Sequence, residues 1–66
     1  MERRALKDDL YSTYGSKLLD VMQIATYAGC SRSTAEREIC NQCKVFTVGK
    51  RRKYHVTDVA AALDRR

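Results

Sequence analysis

The stretch that most constrains this chain is Leu18 to Ile39, LLDVMQIATYAGCSRSTAEREI, whose pattern predicts two short helices folded about a tight turn. Asp20 can cap the first helix, and Gln23 three residues on can reciprocate as in a capping box. Val21, Ile24, Ala25 and Ala28 then fall at the i, i+3, i+4, i+7 spacing that lays one apolar stripe along a helix. Gly29 ends that helix, because glycine closes a helix C-terminus in the left-handed conformation without Cβ strain. Cys30 is expected to turn inward as a small hydrophobe. Ser31 or Ser33 starts the second helix, with Ala35, Ile39 and Cys43 as its inner edge. Two helices about a glycine-containing turn form a helix-turn-helix, here over residues 18–43.

At 66 residues the chain forms one domain, 1–66, of a size at which a single core is marginal. A sizeable substrate pocket is not expected. The opening MERRALKDDL carries charges where a signal peptide needs an apolar run, and the longest apolar run is Val59 to Leu63, so no membrane contact is expected. Three cysteines cannot all pair, which favours a reducing, cytoplasmic setting.

Net charge is +5, and its location matters more than its size. Between Lys44 and Thr57 stand Lys44, Lys50, Arg51, Arg52 and Lys53 with no acid among them, while the other eight basic residues are matched by eight acidic ones. A cationic excess confined to one segment suits a phosphate-binding surface better than a solvated face.

Residues 1–15 read as an N-terminal helix, Glu2 to Tyr14, with Leu6, Leu10 and Tyr14 on one stripe and Gly15 as its stop. It serves either to enlarge a small core or as a docking surface. Residues 45–56, VFTVGKRRKYHV, read as a β-hairpin. Phe46 and Val48 are expected on one face with Tyr54 and Val56, and Lys50, Arg51 and Arg52 at the tip. Thr57 is expected to cap a last helix over 58–64, whose far end suits Arg65 and Arg66.

Helix-turn-helix, basic hairpin and closing helix together make an α+β winged helix with an extra N-terminal helix. In that arrangement the second helix enters the major groove and the hairpin reaches the adjacent backbone. The residues carry a resemblance as well. Leu18 to Ile39 resembles the pattern LLTVEEAAELLGVSRSTVYRLI of excisionase-type, MerR-related DNA-binding domains, keeping Leu18, Leu19, Val21, Ala25, Gly29, Ser31 to Thr34, Arg37 and Ile39. FTVGKRRKYHVTDVAAAL is similar to that family's second half, so the resemblance covers Leu18 to Leu63. Glu36 stands where the family often has an aromatic residue, Glu38 where it often has an apolar one, and Ala62 where tryptophan is frequent.

The resemblance implies an excisionase, a recombination directionality factor of a phage or mobile element. Such a factor acts architecturally with a tyrosine-type integrase and can self-associate cooperatively on DNA. The N-terminal helix or the Arg65–Arg66 tail is then a candidate contact. A small MerR-like transcriptional regulator would share the DNA-binding surface. An RNA-binding or protein-interaction module is the rival of a different class.

At 100° per residue, with Ala35 and Ile39 inward, the outward stripe of the second helix is Ser33, Arg37 and Asn41, flanked by Thr34 and Cys40. Arginine pairs bidentately with guanine and asparagine with adenine, while Ser33 and Thr34 can donate to phosphate. Arg32 joins them as a base that Glu36 at i+4 partly neutralises. The expected double-stranded DNA site is therefore Arg32, Ser33, Thr34, Arg37 and Asn41 on the helix with Lys50, Arg51, Arg52 and Lys53 on the wing, the latter binding backbone without reading sequence.

Cys40, Cys43, Cys30 and His55 could in principle hold zinc, but the spacing is unfamiliar and the wheel turns Cys40 outward and Cys30 inward. No metal or other cofactor is expected. One histidine and no candidate pocket leave no assembled acid, base or nucleophile, so no catalysis is expected either.

Overall fold

The computed structural model describes residues 2–65, so the expectation for Arg66 lies outside it. The chain runs α1 (Arg3–Tyr14), β1 (Leu18–Leu19), α2 (Val21–Ala28), α3 (Arg32–Glu38), a 3-10 turn (Cys40–Gln42), β2 (Val45–Val48), β3 (Arg51–His55) and α4 (Val56–Asp64). It is an α+β fold: four α-helices and one three-stranded antiparallel sheet in the order β1-β3-β2, among the described residues.

Local chemistry explains most of the boundaries. The Asp20 carboxylate accepts from the Gln23 N–H at 2.9 Å, and the Gln23 side chain accepts from the Asp20 N–H at 3.1 Å, which completes the capping box of α2. Gly29 at φ +72° closes α2. Its N–H and that of Cys30 turn back to the carbonyls of Thr26 and Ala25, a Schellman motif that satisfies carbonyls the helix leaves open. Ser31, not Ser33, caps α3 by accepting from the Thr34 N–H at 3.2 Å.

Two helix ends differ from expectation. α3 stops at Glu38 instead of continuing to Cys43, because its last carbonyls are taken by side chains. The Gln42 amide donates to the Glu38 carbonyl at 2.6 Å and the Cys43 thiol to the Ile39 carbonyl at 3.3 Å. The tighter winding of the 3-10 turn changes the angular phase, so Cys40 is buried and not outward-facing. α4 begins at Val56, and its cap is His55 and not Thr57: Nδ1 of the imidazole accepts from the Thr57 N–H at 3.1 Å.

The hairpin is shorter than 45–56 and its faces are exchanged. Val45 pairs with Tyr54, Phe46 with Lys53, Thr47 with Arg52 and Val48 with Arg51. Opposed residues share a face, so Tyr54 lies with Val45, whereas Phe46 and Val48 lie with Lys53 and Arg51. The phase is set by β1, which pairs Leu19 with Tyr54 and thereby turns both into the core. Val56 belongs to α4. Only Gly49 and Lys50 form the connection, with Gly49 at φ +65° in the first central position, where a II′ turn places glycine. Arg51 and Arg52 are strand residues and not tip residues.

α1 lays its predicted stripe inward, with Leu10 fully buried and Leu6 and Tyr14 packed around it. It packs chiefly against α4, whose Val59, Ala60 and Ala62 are buried. The absence of a large residue at Ala62 is thus met by a helix from the other end of the chain. Two tyrosines also join α1 to α2: Tyr14 donates to the Gln23 carbonyl at 3.0 Å, and Tyr27 donates to Asp9.

Candidate nucleic-acid interface

Burial of Ala35 and Ile39 fixes which side of α3 faces out. Arg32, Ser33 and Arg37 are exposed, as is Asn41 in the following 3-10 turn. Asn41 is therefore beside the Ser33–Arg37 stripe but not on its continuous helical line. Both arginines have acidic neighbours: Arg32 bonds Glu36 at 3.2 Å, and Arg37 approaches Glu38 at 3.6 Å. Thr34 is half-buried, and its hydroxyl accepts from Ser31 at 3.0 Å, which commits it partly to the cap. The outward face of α3 is accordingly polar but nearly neutral.

The β2–β3 hairpin is different. Lys50, Arg51 and Arg52 are exposed, and none of them has a carboxylate partner among the described residues. Lys53 departs from the expected set. Its ammonium lies 3.8 Å from the Asp20 carboxylate, with side chains only 23% and 27% exposed, so it ties β3 to the start of α2 instead of standing free for phosphate.

Between α3 and the hairpin lies an open cleft of about 680 Å³. Arg32, Glu36 and Asn41 line it from the helix side, Lys50, Arg51, Arg52 and Tyr54 from the hairpin, and Val21, Met22 and Val45 supply apolar surface. Five of the expected binding residues, Arg32, Asn41, Lys50, Arg51 and Arg52, thus meet at one cleft. Ser33, Thr34, Arg37 and Lys53 do not line it. Met22 and Val45 were not anticipated there. Met22 had a legible signal, since it falls off the Val21, Ile24, Ala25, Ala28 stripe and is large and apolar nonetheless.

Cys40 and Cys43 also line this cleft. Burial raises the Cys40 thiol pKa, assisted by the nearby Glu36 carboxylate, and burial likewise pushes Cys43 up to about 11, so both remain thiols at neutral pH. Burial also raises the Tyr54 phenol. Nδ1 of His55 is occupied as a helix cap. Among the described residues no group of three or more His, Cys, Asp or Glu side chains is arranged to hold a metal ion.

An open cleft whose hairpin rim carries cations with no carboxylate partner among the described residues can accept phosphates there and present polar side chains from α3 to whatever lies beside it. No family model, curated protein or solved structure matches the chain. The functional reading therefore rests on this geometry and on the residues themselves. Among the described residues no helix is long and apolar enough to cross a membrane.

Proposed function

We propose that this chain binds double-stranded DNA sequence-selectively as a winged-helix excisionase, with α3 as reader and the β2–β3 hairpin as anchor. The observation that carries the binding surface is the separation of charge. Acidic neighbours balance Arg32 and Arg37 of α3, while Lys50, Arg51 and Arg52, which face Arg32 across the cleft, have no carboxylate partner among the described residues. Support for the winged-helix reading comes from chain order. α2 and α3 are inserted between β1 and the hairpin, and β1 then pairs with β3, so the sheet holds the hairpin beside α3.

In this reading the wing supplies most of the attraction through phosphate contacts that release counterions. Arg37 exchanges its exposed contact with Glu38 for guanine at small cost, because such surface pairs are worth about 0–1 kcal/mol. Asn41 and Ser33 contribute the remaining polar contacts, and each good bidentate pair discriminates by about 1–3 kcal/mol. Lys53 is left out of the phosphate set. The specific role in excision, with an integrase as partner, rests on the resemblance of residues 18–63 to excisionase-type domains.

Anisotropy titration against attachment-site DNA of the element and scrambled DNA, at two salt concentrations, tests the proposal. Preference for the attachment site is expected. Replacing Arg51 and Arg52 by alanine should weaken binding to both DNAs and reduce the salt slope by about 2. Equal affinity for both DNAs would reduce the reading to non-specific binding, and an unchanged slope would remove the wing from it.

A further inference from the structure

The hairpin also has a free strand edge, which the proposed DNA contacts of its side chains do not engage. β2 is the terminal strand of the sheet, and all four of its residues are exposed. Val45, Phe46 and Val48 are 47%, 37% and 54% exposed, and they are three of the five large hydrophobic residues exposed among those described. An edge strand of this kind is usually blunted by proline, a bulge or an inward-pointing charge. β2 has none of these in VFTV, a sequence of strand-forming residues.

We propose that the open edge of β2 docks an extended, acidic segment of a partner protein, which joins the sheet as a fourth strand. The two-residue connection makes Val48 and Arg51 a hydrogen-bonded pair, so by alternation Val45 and Thr47 direct their N–H and C=O groups away from β3. These groups offer the main-chain ladder that strand addition uses for affinity. Charge specifies the occupant. Lys44 lies over the Phe46 ring at 5.5 Å, Arg51 stands opposite Val48, and Arg52 stands opposite Thr47. An added strand therefore meets apolar surface next to it and cations beyond it on both faces. A strand of alternating β-branched and carboxylate side chains complements that arrangement one face at a time, because pleating sets all its carboxylates on one face, toward Arg51 or toward Arg52, and its β-branched residues on the other. A second copy does not, because pairing two β2 edges would set Lys44, Lys50, Arg51 and Arg52 against the same four cations with no intervening acid.

The test uses the full chain and a fluorescein-labelled peptide of alternating valine and glutamate, about eight residues long to span a short strand. The control has equal charge but proline at two central positions, which removes ladder donors. Anisotropy should show binding of the alternating peptide only, with amide chemical shifts moving chiefly at residues 45–48. Thr47→Pro should weaken binding by at least about tenfold. Phe46→Ser with Val48→Ser should weaken it too, and this second variant decides the matter if Thr47→Pro disturbs the hairpin. Equal binding of the proline peptide would overturn the proposal in favour of charge attraction alone. So would failure of the alternating peptide to bind, or shifts at β2 on concentrating the protein without peptide, which would identify a second copy. None of these outcomes depends on DNA.

Discussion

Tyr27 shows how one side chain links pH to the fold. Its hydroxyl donates to Asp9 across the α1–α2 contact, and its ring meets that of Tyr14 at a tilt, with centroids 6.4 Å apart. Burial, reinforced by the Asp9 hydrogen bond and charge, pushes the phenol up from 10.0 to about 12. A group whose pKa is raised on folding contributes stability below its unfolded value and loses that contribution as pH rises through its folded value. The Tyr27 contribution should therefore be intact below pH 10 and fade between pH 10 and about 12. Denaturation midpoints measured across that window should fall. Tyr27→Phe should be less stable at neutral pH by about 1 kcal/mol, the worth of a typical hydrogen bond, but should lose less as the pH climbs. Equal alkaline slopes for the two proteins would show that another group governs the loss.

At the scale of an element, the start of α2 joins stability to the proposed DNA binding, because Asp20 both caps the helix and holds Lys53. The two roles separate by substitution. Asp20→Ala removes the cap and should cost about 1 kcal/mol. Asp20→Asn keeps an oxygen for the Gln23 N–H and discharges only the partner of Lys53. That variant should remain folded yet bind DNA more tightly, with the salt slope steeper by about 0.9, as Lys53 becomes a further phosphate contact. A slope no steeper than that of the parent would mean that Lys53 cannot reach the backbone.

The same element marks how far sequence reasoning reaches. The capping box, the Gly29 stop and the Leu6–Leu10–Tyr14 stripe were legible because each is a local pattern within one helix. The hairpin phase was not. β2 carries apolar residues at both parities, Val45 against Phe46 and Val48, so alternation alone has no unique answer, and a slip of one residue exchanges every side chain. Pairing of Leu19 with Tyr54 settles it, and that contact spans much of the chain. The Lys53–Asp20 ion pair was hidden for a related reason. The sequence shows Lys53 only as one member of a basic run, while the carboxylate that claims it lies on another element.

The whole molecule depends on a helix that touches neither α3 nor the wing strongly. A chain of 66 residues has about 3–10 kcal/mol of stability at the usual 0.05–0.15 kcal/mol per residue. Leu10 is fully buried where α1 packs on α4, and the small side chains of Ala60 and Ala62 are buried on the α4 side of the same core. Those small neighbours leave little bulk to collapse into a space opened at Leu10, so Leu10→Ala should cost about 2–5 kcal/mol, a large share of the total. In urea the midpoint should fall while the slope of the transition stays the same, since the surface exposed on unfolding scarcely changes. DNA affinity should decline only as the folded fraction declines, and saturating DNA should raise the midpoint again by mass action. A variant that keeps its midpoint but loses DNA binding would contradict the packing role and make α1 part of the binding surface. Because Leu10 belongs to the core, any partner contact made by this helix has to be sought on its exposed residues, such as Tyr11, with Leu10 left in place.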